Sequence, residues 1–160
     1  MTARPPGGYR RRAMGKLEGR AAIVTGATSG MGRATALLLA REGAAVVASG
    51  RDPGRGATLV EEIRLAGGRM EFVPGDVSLL ETNARLVETC LRSFGRVDAA
   101  VSCAGMLGLG SAAEVPVDTW RQTLATNLDA PFYLLRCVLP QMQKRGGGAI
   151  VLVSSIAAFK

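Results

Sequence analysis

Short runs of consecutive apolar residues alternate along the chain with longer stretches in which apolar residues recur at helical spacing. The short runs predict strands over residues 21–24, 44–48, 70–73, 97–102 and 149–153. The longer stretches predict helices over residues 31–42, 78–94 and 118–142, and a further helix that contains Leu59, Ile63 and Leu65 and ends at Gly67-Gly68. Strands without polar alternation need cover on both faces, and strict alternation of strand and helix gives right-handed crossovers. The pattern therefore predicts an α/β fold with a doubly wound parallel sheet of five strands and four helices.

Apolar residues inside the predicted helices indicate which positions face the core. The first helix should bury Ala34, Leu37, Leu38 and Ala40, and Gly43 should end it at the C-terminal cap position. The third helix should bury Leu79, Leu86, Val87 and Leu91.

Composition narrows the classes of function. The chain has 160 residues, of which 48% are hydrophobic and none is histidine. That length suits one packed domain, and the missing imidazole excludes histidine-based catalysis and histidine-ligated zinc, so no metal site is expected. Cys90, Cys103 and Cys137 are an odd, scattered set. They indicate free thiols in a reducing, cytoplasmic environment rather than a disulfide framework.

The net charge of +7 is concentrated at the N-terminus. Residues 1–16 hold no acid and five basic residues, namely Arg4, Arg10, Arg11, Arg12 and Lys16. We expect a disordered basic tail over 1–16, either without a role or as a functional basic arm, and a dinucleotide-binding domain over 17–160. The nearly balanced body disfavours nucleic acid as a partner. Residues 146–159 carry no charge but are too short and glycine-rich to span a membrane, so no membrane partner is expected.

A glycine-rich turn follows the first predicted strand and opens the first helix, in the sequence Thr-Gly-Ala-Thr-Ser-Gly-Met-Gly over residues 25–32. Gly26, Gly30 and Gly32 allow a tight turn and a close approach of backbone to a phosphate, and Met31 lies between the last two. The helix N-terminus would offer N–H groups to a pyrophosphate, and the hydroxyls of Thr28 and Ser29 would add donors. Because the turn lacks the Lys-Ser/Thr ending of a P-loop, nucleoside triphosphate hydrolysis is disfavoured.

The spacing of this turn resembles the Thr-Gly-x-x-x-Gly-x-Gly signature of the short-chain dehydrogenase/reductase family. Further matches to the family pattern follow in order, at Gly75-Asp76-Val77, Ala104-Gly105, Asn127 and Ser154-Ser155. The resemblance runs from about Leu17 to Phe159. It implies a Rossmann-like fold and an NAD(P)-dependent oxidoreductase that moves a hydride between a nicotinamide cofactor and a small-molecule carbonyl or alcohol.

The resemblance also implies roles in cofactor binding. Asp76 would bond the adenine amino group while Val77 packs on the ring, the alternative being an ordinary turn aspartate. Ala104 and Gly105 would form the turn close to the adenine ribose. Cys103 stands where the family usually has asparagine, and because a thiol is a weak hydrogen-bonding group the sheet should be looser there.

Catalytic roles are implied for two residues. Asn127 would bend the long helix and hold a water of the proton relay, and Ser155 would donate a hydrogen bond to the substrate oxygen. The family's tyrosine and lysine would fall near positions 168 and 172, beyond Lys160. The expectation is therefore the N-terminal part of such an enzyme, with no turnover by this chain alone and with a homodimer or homotetramer for the longer form. The alternative is a non-enzymatic dinucleotide-binding module.

The choice of cofactor rests on the end of the second strand. An acid at the strand tip would bond the ribose 2′-hydroxyl of NAD, but Gly50 occupies that position. Arg51 follows and can pair with a 2′-phosphate, which favours NADP. Asp52, one residue further on, leaves NAD open as the alternative.

Overall fold

A computed structural model describes residues 15–155 of the chain as one five-stranded parallel sheet with helices on both faces. Residues 1–14 of the tail predicted over 1–16, and the last residues, 156–160, lie outside the described part. The strands are β1 (Ala21–Thr25), β2 (Ala45–Gly50), β3 (Arg69–Pro74), β4 (Ala99–Ser102) and β5 (Ala149–Leu152). The helices are α1 (Gly30–Arg41), α2 (Pro53–Leu65), α3 (Leu80–Phe94), α4 (Val117–Leu124) and α5 (Ala130–Lys144). The doubly wound α/β fold predicted from the sequence is confirmed.

The strand order is β3-β2-β1-β4-β5, so the chain winds outward from β1 in one direction and then returns to the other side of it. In the centre of the sheet Ile23 lies between Val47 of β2 and Ala100 of β4, and all three are fully buried. The order reverses between β1 and β4. In parallel α/β sheets, the carboxyl ends of the strands at such a point form a crevice that binds ligands.

Two hydrophobic layers cover the sheet. On one face α3 and α5 pack through Leu86, Cys90, Leu134 and Val138. On the other face α1 and α2 pack through Ala36, Ala40, Leu59 and Ile63. Gly43, with a φ of +96°, and Gly67, with a φ of +78°, follow α1 and α2 as predicted from the helix-ending pattern.

Three of the predicted core positions are wrong. In α1, Ala34 and Leu38 are exposed, because the helix approaches the sheet through the small residues Gly32, Ala36 and Ala40. Leu79 is 54% exposed because it is the residue before α3, outside the helical repeat that places Leu86 and Val87 inward.

The fourth predicted helix, over residues 118–142, is a continuous helical stretch with a change of pitch. Between α4 and α5, residues Ala125–Asp129 form a π-helical turn, which contains Asn127. A π turn inserts an extra residue and displaces the residues that follow it around the helix axis. Pro140 lies in the second half of α5.

The two edges of the sheet differ in character. In β3 only Val73 is buried, and the polar residues Arg69 and Glu71 are exposed. At the other edge, β5 is largely exposed, with Val151 52% and Leu152 49% accessible.

Asp98, just before β4, joins the amino ends of β1 and β4. Its carboxylate accepts hydrogen bonds from the Ala21 amide at 2.8 Å, from Arg20 at 3.2 Å and from two nitrogens of Arg96 at 2.5 Å. Lys16, at the end of the predicted tail, donates its backbone N–H to the Glu42 carboxylate at 3.2 Å. Within residues 15–155 no helix is both long and apolar enough to cross a membrane.

Candidate functional site

The glycine turn between β1 and α1 depends on residues without a side chain. Gly26 has a φ of +67°, and a Cβ there would stand 2.8 Å from the backbone of Ala104. A Cβ on Gly32 would stand 2.3 Å from the carbonyl oxygen of Gly26. Gly30 has a φ of +51°, and a Cβ built there would meet no atom of the described residues within 4 Å apart from its own neighbours along the chain. It therefore faces open space. Gly26 and Gly32 therefore allow the backbone of the turn to pack tightly, whereas Gly30 leaves the backbone accessible at the start of α1.

Hydrogen bonds attach this turn to the neighbouring strands. The Ala27 N–H donates to the Ser49 carbonyl of β2 at 2.8 Å. The Thr25 hydroxyl accepts from the backbone N–H groups of Cys103 at 3.2 Å and Ala104 at 3.3 Å. Thr25 was part of the quoted sequence signature, but its role in joining the ends of β1 and β4 was not predicted.

A cleft of about 240 Å³ lies at the carboxyl ends of the strands, above this turn. Every residue predicted to bind the cofactor lines it, namely Gly26, Thr28, Ser29, Gly30, Met31, Gly32, Arg51, Asp76, Val77, Cys103, Ala104 and Gly105. The sequence reasoning did not assign Ser49, Gly75, Met106 and Thr126 to this cleft, which they also line. The fold therefore brings together residues that are up to 100 positions apart in the chain, from Gly26 to Thr126.

Two neighbouring charged residues that follow β2, Arg51 and Asp52, have different surroundings. The Asp52 carboxylate caps α2, accepting the Arg55 N–H at 3.0 Å and pairing with the Arg55 guanidinium at 3.3 Å. Arg51 lines the cleft, and it has no ion pair with any residue between 15 and 155. A Cβ on Gly50 would stand 2.4 Å from the Thr28 side chain, so an acid at this strand tip would require that side chain to move.

The loop after β3 holds Asp76 and Val77 beside the cleft. Asp76 accepts the backbone N–H of Ser78 at 2.9 Å, which forms a local turn around its own carboxylate. Asn83 of α3 is fully buried and donates to the carbonyls of Val77 at 2.7 Å and Leu79 at 2.9 Å. Sequence reasoning missed Asn83, and its only signal was an amide in the first turn of an amphipathic helix.

A second, wider part of the cleft, of about 740 Å³, continues toward β5. Asn127, Ser154 and Ser155 line it. The Asn127 side chain is bonded to the backbone of Met106 at both ends, accepting from its N–H at 2.9 Å and donating to its carbonyl at 2.8 Å. The π turn is thereby fixed to the loop that follows β4.

The three thiols lie in different surroundings. Cys90 is fully buried and donates to the Arg96 carbonyl at 3.1 Å, and burial together with the charge of Asp98 raises its pKa to about 12. Cys103 is half-buried in the cleft. Burial raises its pKa and a hydrogen bond with Thr35 acts in the opposite direction. Burial also raises the pKa of Cys137.

The sequence profile of the short chain dehydrogenase family matches residues 20–160. The chain belongs to this family. The membership confirms the resemblance drawn from the glycine turn and the motifs that follow it, and it accounts for the Rossmann-like strand order.

Two of the curated relatives are named as dehydrogenases. A 3beta-hydroxysteroid dehydrogenase of Mediterraneibacter gnavus is 41% identical over 148 residues, which cover 92% of this chain and 53% of that protein. An L-rhamnose-1-dehydrogenase of Scheffersomyces stipitis is 37% identical over 150 residues, with 91% and 58% covered. The chain thus spans little more than half the length of these relatives.

Solved structures of the family superpose closely on the described fold. A short-chain dehydrogenase/reductase from Burkholderia xenovorans matches with a TM-score of 0.86 at 36% identity, over 91% of this chain and 60% of that one. A 7 alpha-hydroxysteroid dehydrogenase complexed with NADH and 7-oxo glycochenodeoxycholic acid matches with a TM-score of 0.85 at 32% identity, over 90% and 56%.

Proposed function

We propose that the chain binds a nicotinamide dinucleotide, NADP in preference to NAD, as part of an oxidoreductase that interconverts a small-molecule carbonyl and alcohol. The observation that carries this proposal is the convergence of the glycine turn, the end of β2 and the loops after β3 and β4 on one cleft. That cleft lies where the strand order reverses, the usual ligand position in such sheets.

The residues present fit the adenosine and pyrophosphate part of such a cofactor. Gly30 leaves the backbone open at the start of α1, where unsatisfied N–H groups and the helix dipole favour a phosphate. Asp76 and Val77 would hold the adenine, and Ala104 and Gly105 would lie along its ribose. The chemistry that a bound cofactor supplies is hydride transfer between its nicotinamide ring and a carbonyl carbon.

The preference for NADP follows from how Asp52 and Arg51 are used. Asp52 is engaged in capping α2, so its carboxylate is occupied away from a ribose 2′-hydroxyl. Arg51 lines the cleft and would pair with a 2′-phosphate. NAD is the alternative if α2 gives up its cap when the cofactor binds.

Two residues of the wider part of the cleft would serve the reaction. Ser155 would donate its hydroxyl to the substrate oxygen. Asn127 would shape the substrate side by holding Met106 and the π turn. Because the chain to Lys160 contains no tyrosine four residues before a lysine, we expect it to bind dinucleotide without turnover.

An apolar stripe along α4, the π turn and α5 would support a homo-oligomer. Its exposed members are Val117, Trp120, Leu124, Leu128, Phe132 and Leu139. They recur at intervals of three, four or seven residues on one side of the helical stretch, which is typical of a face that packs on another helix.

The test is calorimetric titration of the 160-residue chain with NADP and NAD. NADP should bind more tightly, and Arg51→Ala should reduce its affinity about 10- to 100-fold by removing charge-assisted bonds. The affinity for NAD should hardly change. Arg85→Ala, which removes an exposed arginine of α3 outside the cleft, is the matched control and should leave both affinities unchanged.

Tighter binding of NAD, or equal losses for both cofactors in Arg51→Ala, would contradict the assignment of Arg51. Absence of binding to either dinucleotide would contradict the proposed function as a whole.

A further inference from the structure

We propose that Asn83, a buried residue of α3, fixes the loop over residues 75–79 in the position that recognises adenine, and thereby sets the preference of the cleft for this base. The inference rests on the proposed function, which assigns Asp76 to the adenine amino group and Val77 to the face of the ring. Asn83 does not itself line the cleft, so it would act through the loop, as a positioning residue.

The first observation is the pair of hydrogen bonds that the Asn83 amide donates. Its nitrogen, Nδ2, lies 2.7 Å from the carbonyl oxygen of Val77 and 2.9 Å from that of Leu79. Because a carbonyl oxygen only accepts hydrogen bonds, the –NH2 end of the amide must face both of them. Asn83 has no exposed surface, so the amide that holds the loop is kept out of water.

The second observation concerns the other end of the amide. The Oδ1 atom of Asn83 is buried and accepts no hydrogen bond from any residue between 15 and 155. A buried acceptor without a partner destabilises the fold, whereas an apolar side chain of similar volume would pack in the core without that penalty. Packing alone therefore does not explain an amide at this position, but its two bonds to the loop do.

The third observation is the way in which the loop is attached at its other end. The backbone N–H of Gly75 donates to the Gly50 carbonyl of β2 at 3.1 Å. The Asp76 carboxylate accepts the N–H of Ser78 at 2.9 Å, a bond that stays within the loop. The Asn83 amide adds the link from the middle and the end of the loop to α3. One anchor on β2 and one on α3 therefore hold Asp76 between them.

The position of Asp76 would decide which base the cleft prefers. Its carboxylate would accept a hydrogen bond from the amino group of adenine and would repel the oxygen that hypoxanthine carries at the same place. Without the donors of Asn83, the carbonyls of Val77 and Leu79 would be left unpaired, and the loop would shift toward water to regain partners. Asp76 would move with it, and the preference for adenine would fall.

The experiment is calorimetric titration of the 160-residue chain with NADP and with deamino-NADP, in which hypoxanthine replaces adenine. The unmodified chain should bind NADP about tenfold more tightly than deamino-NADP, the scale of one charge-assisted hydrogen bond. Asn83→Leu keeps a side chain of similar volume but removes both donors. It should reduce the preference to about twofold or less, mainly by weakening the binding of NADP.

A matched control comes from the other end of the same helix. Cys90 is also fully buried in α3 and donates to a loop carbonyl, that of Arg96, at 3.1 Å. Cys90→Ala removes this bond far from the cleft and should leave the preference for NADP unchanged. Asn83→Thr is a milder variant, because its hydroxyl would bond to the carbonyl four residues earlier, that of Leu79, but would not reach Val77. Its preference should be intermediate.

Hydrogen exchange of the Ser78 amide reports on the loop without any ligand, because this N–H is bonded to the Asp76 carboxylate. In Asn83→Leu it should exchange about tenfold faster or more, since the loop opens more often. In Cys90→Ala its rate should stay as in the unmodified chain.

The outcomes separate this inference from the proposed function. An unchanged preference for NADP in Asn83→Leu, or a full preference in Asn83→Thr if the leucine variant does not fold, would overturn the inference alone. So would equal affinity of the unmodified chain for the two dinucleotides, or an equal loss of preference in Cys90→Ala, which would indicate general loosening of α3. Failure of the unmodified chain to bind either dinucleotide would contradict the proposed function itself.

Discussion

At the scale of single residues, the three thiols report on access to the cleft. A thiol-reactive reagent should modify Cys103 and Cys137, which are half-buried, and spare Cys90, which is fully buried and has a pKa raised to about 12. Bound dinucleotide should slow modification of Cys103 about tenfold or more by covering the cleft, while the rate at Cys137 stays the same. Peptide mass spectrometry measures each rate. Equal protection of Cys137 would point to general tightening of the fold and against cover of the cleft.

The same scale shows which site residues a sequence can reveal. The glycines of the turn are predictable because a missing side chain is visible in the sequence and the steric need for it is local. The capping role of Asp52 is not predictable in this way, because an aspartate before a helix looks the same in the sequence whether it caps the helix or faces a ribose. Asn83 was missed because its two acceptors are carbonyls of a loop, which carry no signature in the sequence.

At the scale of elements, strands and helices were predictable to within a few residues because their apolar periodicity is strong. The π turn was not, because a single inserted residue within residues 125–129 hardly disturbs the apolar repeat. Part of the buried face of α1 was also predicted wrongly. Hydrophobicity favours leucine at buried positions, but close packing on the sheet selected Ala36 and Ala40 and left Leu38 outside.

Asp98 joins two elements, the amino ends of β1 and β4, and makes the stability of the sheet depend on pH. Burial tends to raise the pKa of its carboxyl, but hydrogen bonds from Arg96, the Ala21 amide and Arg20 outweigh burial and hold the pKa at about 2. A carboxyl with a lower pKa in the folded state than in the unfolded state stabilises the fold above about pH 4. That stability, about 1–2 kcal/mol after allowance for solvent screening, should be lost as the pH falls toward 2.

Denaturant unfolding at pH 7 and at pH 3 measures this contribution. Asp98→Asn should lower the free energy of unfolding at pH 7 and flatten its decline between pH 4 and 2. Asp118→Asn, which removes a carboxylate that is 96% exposed at the start of α4, should change neither quantity appreciably. If the acid-induced loss is as steep in Asp98→Asn as in the unmodified chain, other carboxylates are responsible.

At the scale of the whole molecule, the two edge strands of the described sheet, β3 and β5, differ in the residues that they expose. The exposed edge of β3 carries Arg69 and Glu71, which discourage pairing with another strand, whereas β5 presents the apolar residues Val151, Leu152 and Val153, which are 40–52% exposed. An apolar edge strand without charge is a template for association through its backbone.

We therefore expect the 160-residue chain to self-associate at micromolar concentration, as sedimentation velocity would show. Val151→Lys should raise the concentration needed for association at least about fivefold, because a lysine on an edge strand opposes pairing. Leu65→Lys, a comparable change on the exposed end of α2, should leave association unchanged. A chain that stays monomeric at these concentrations would show that the β5 edge is protected by some other feature of the molecule.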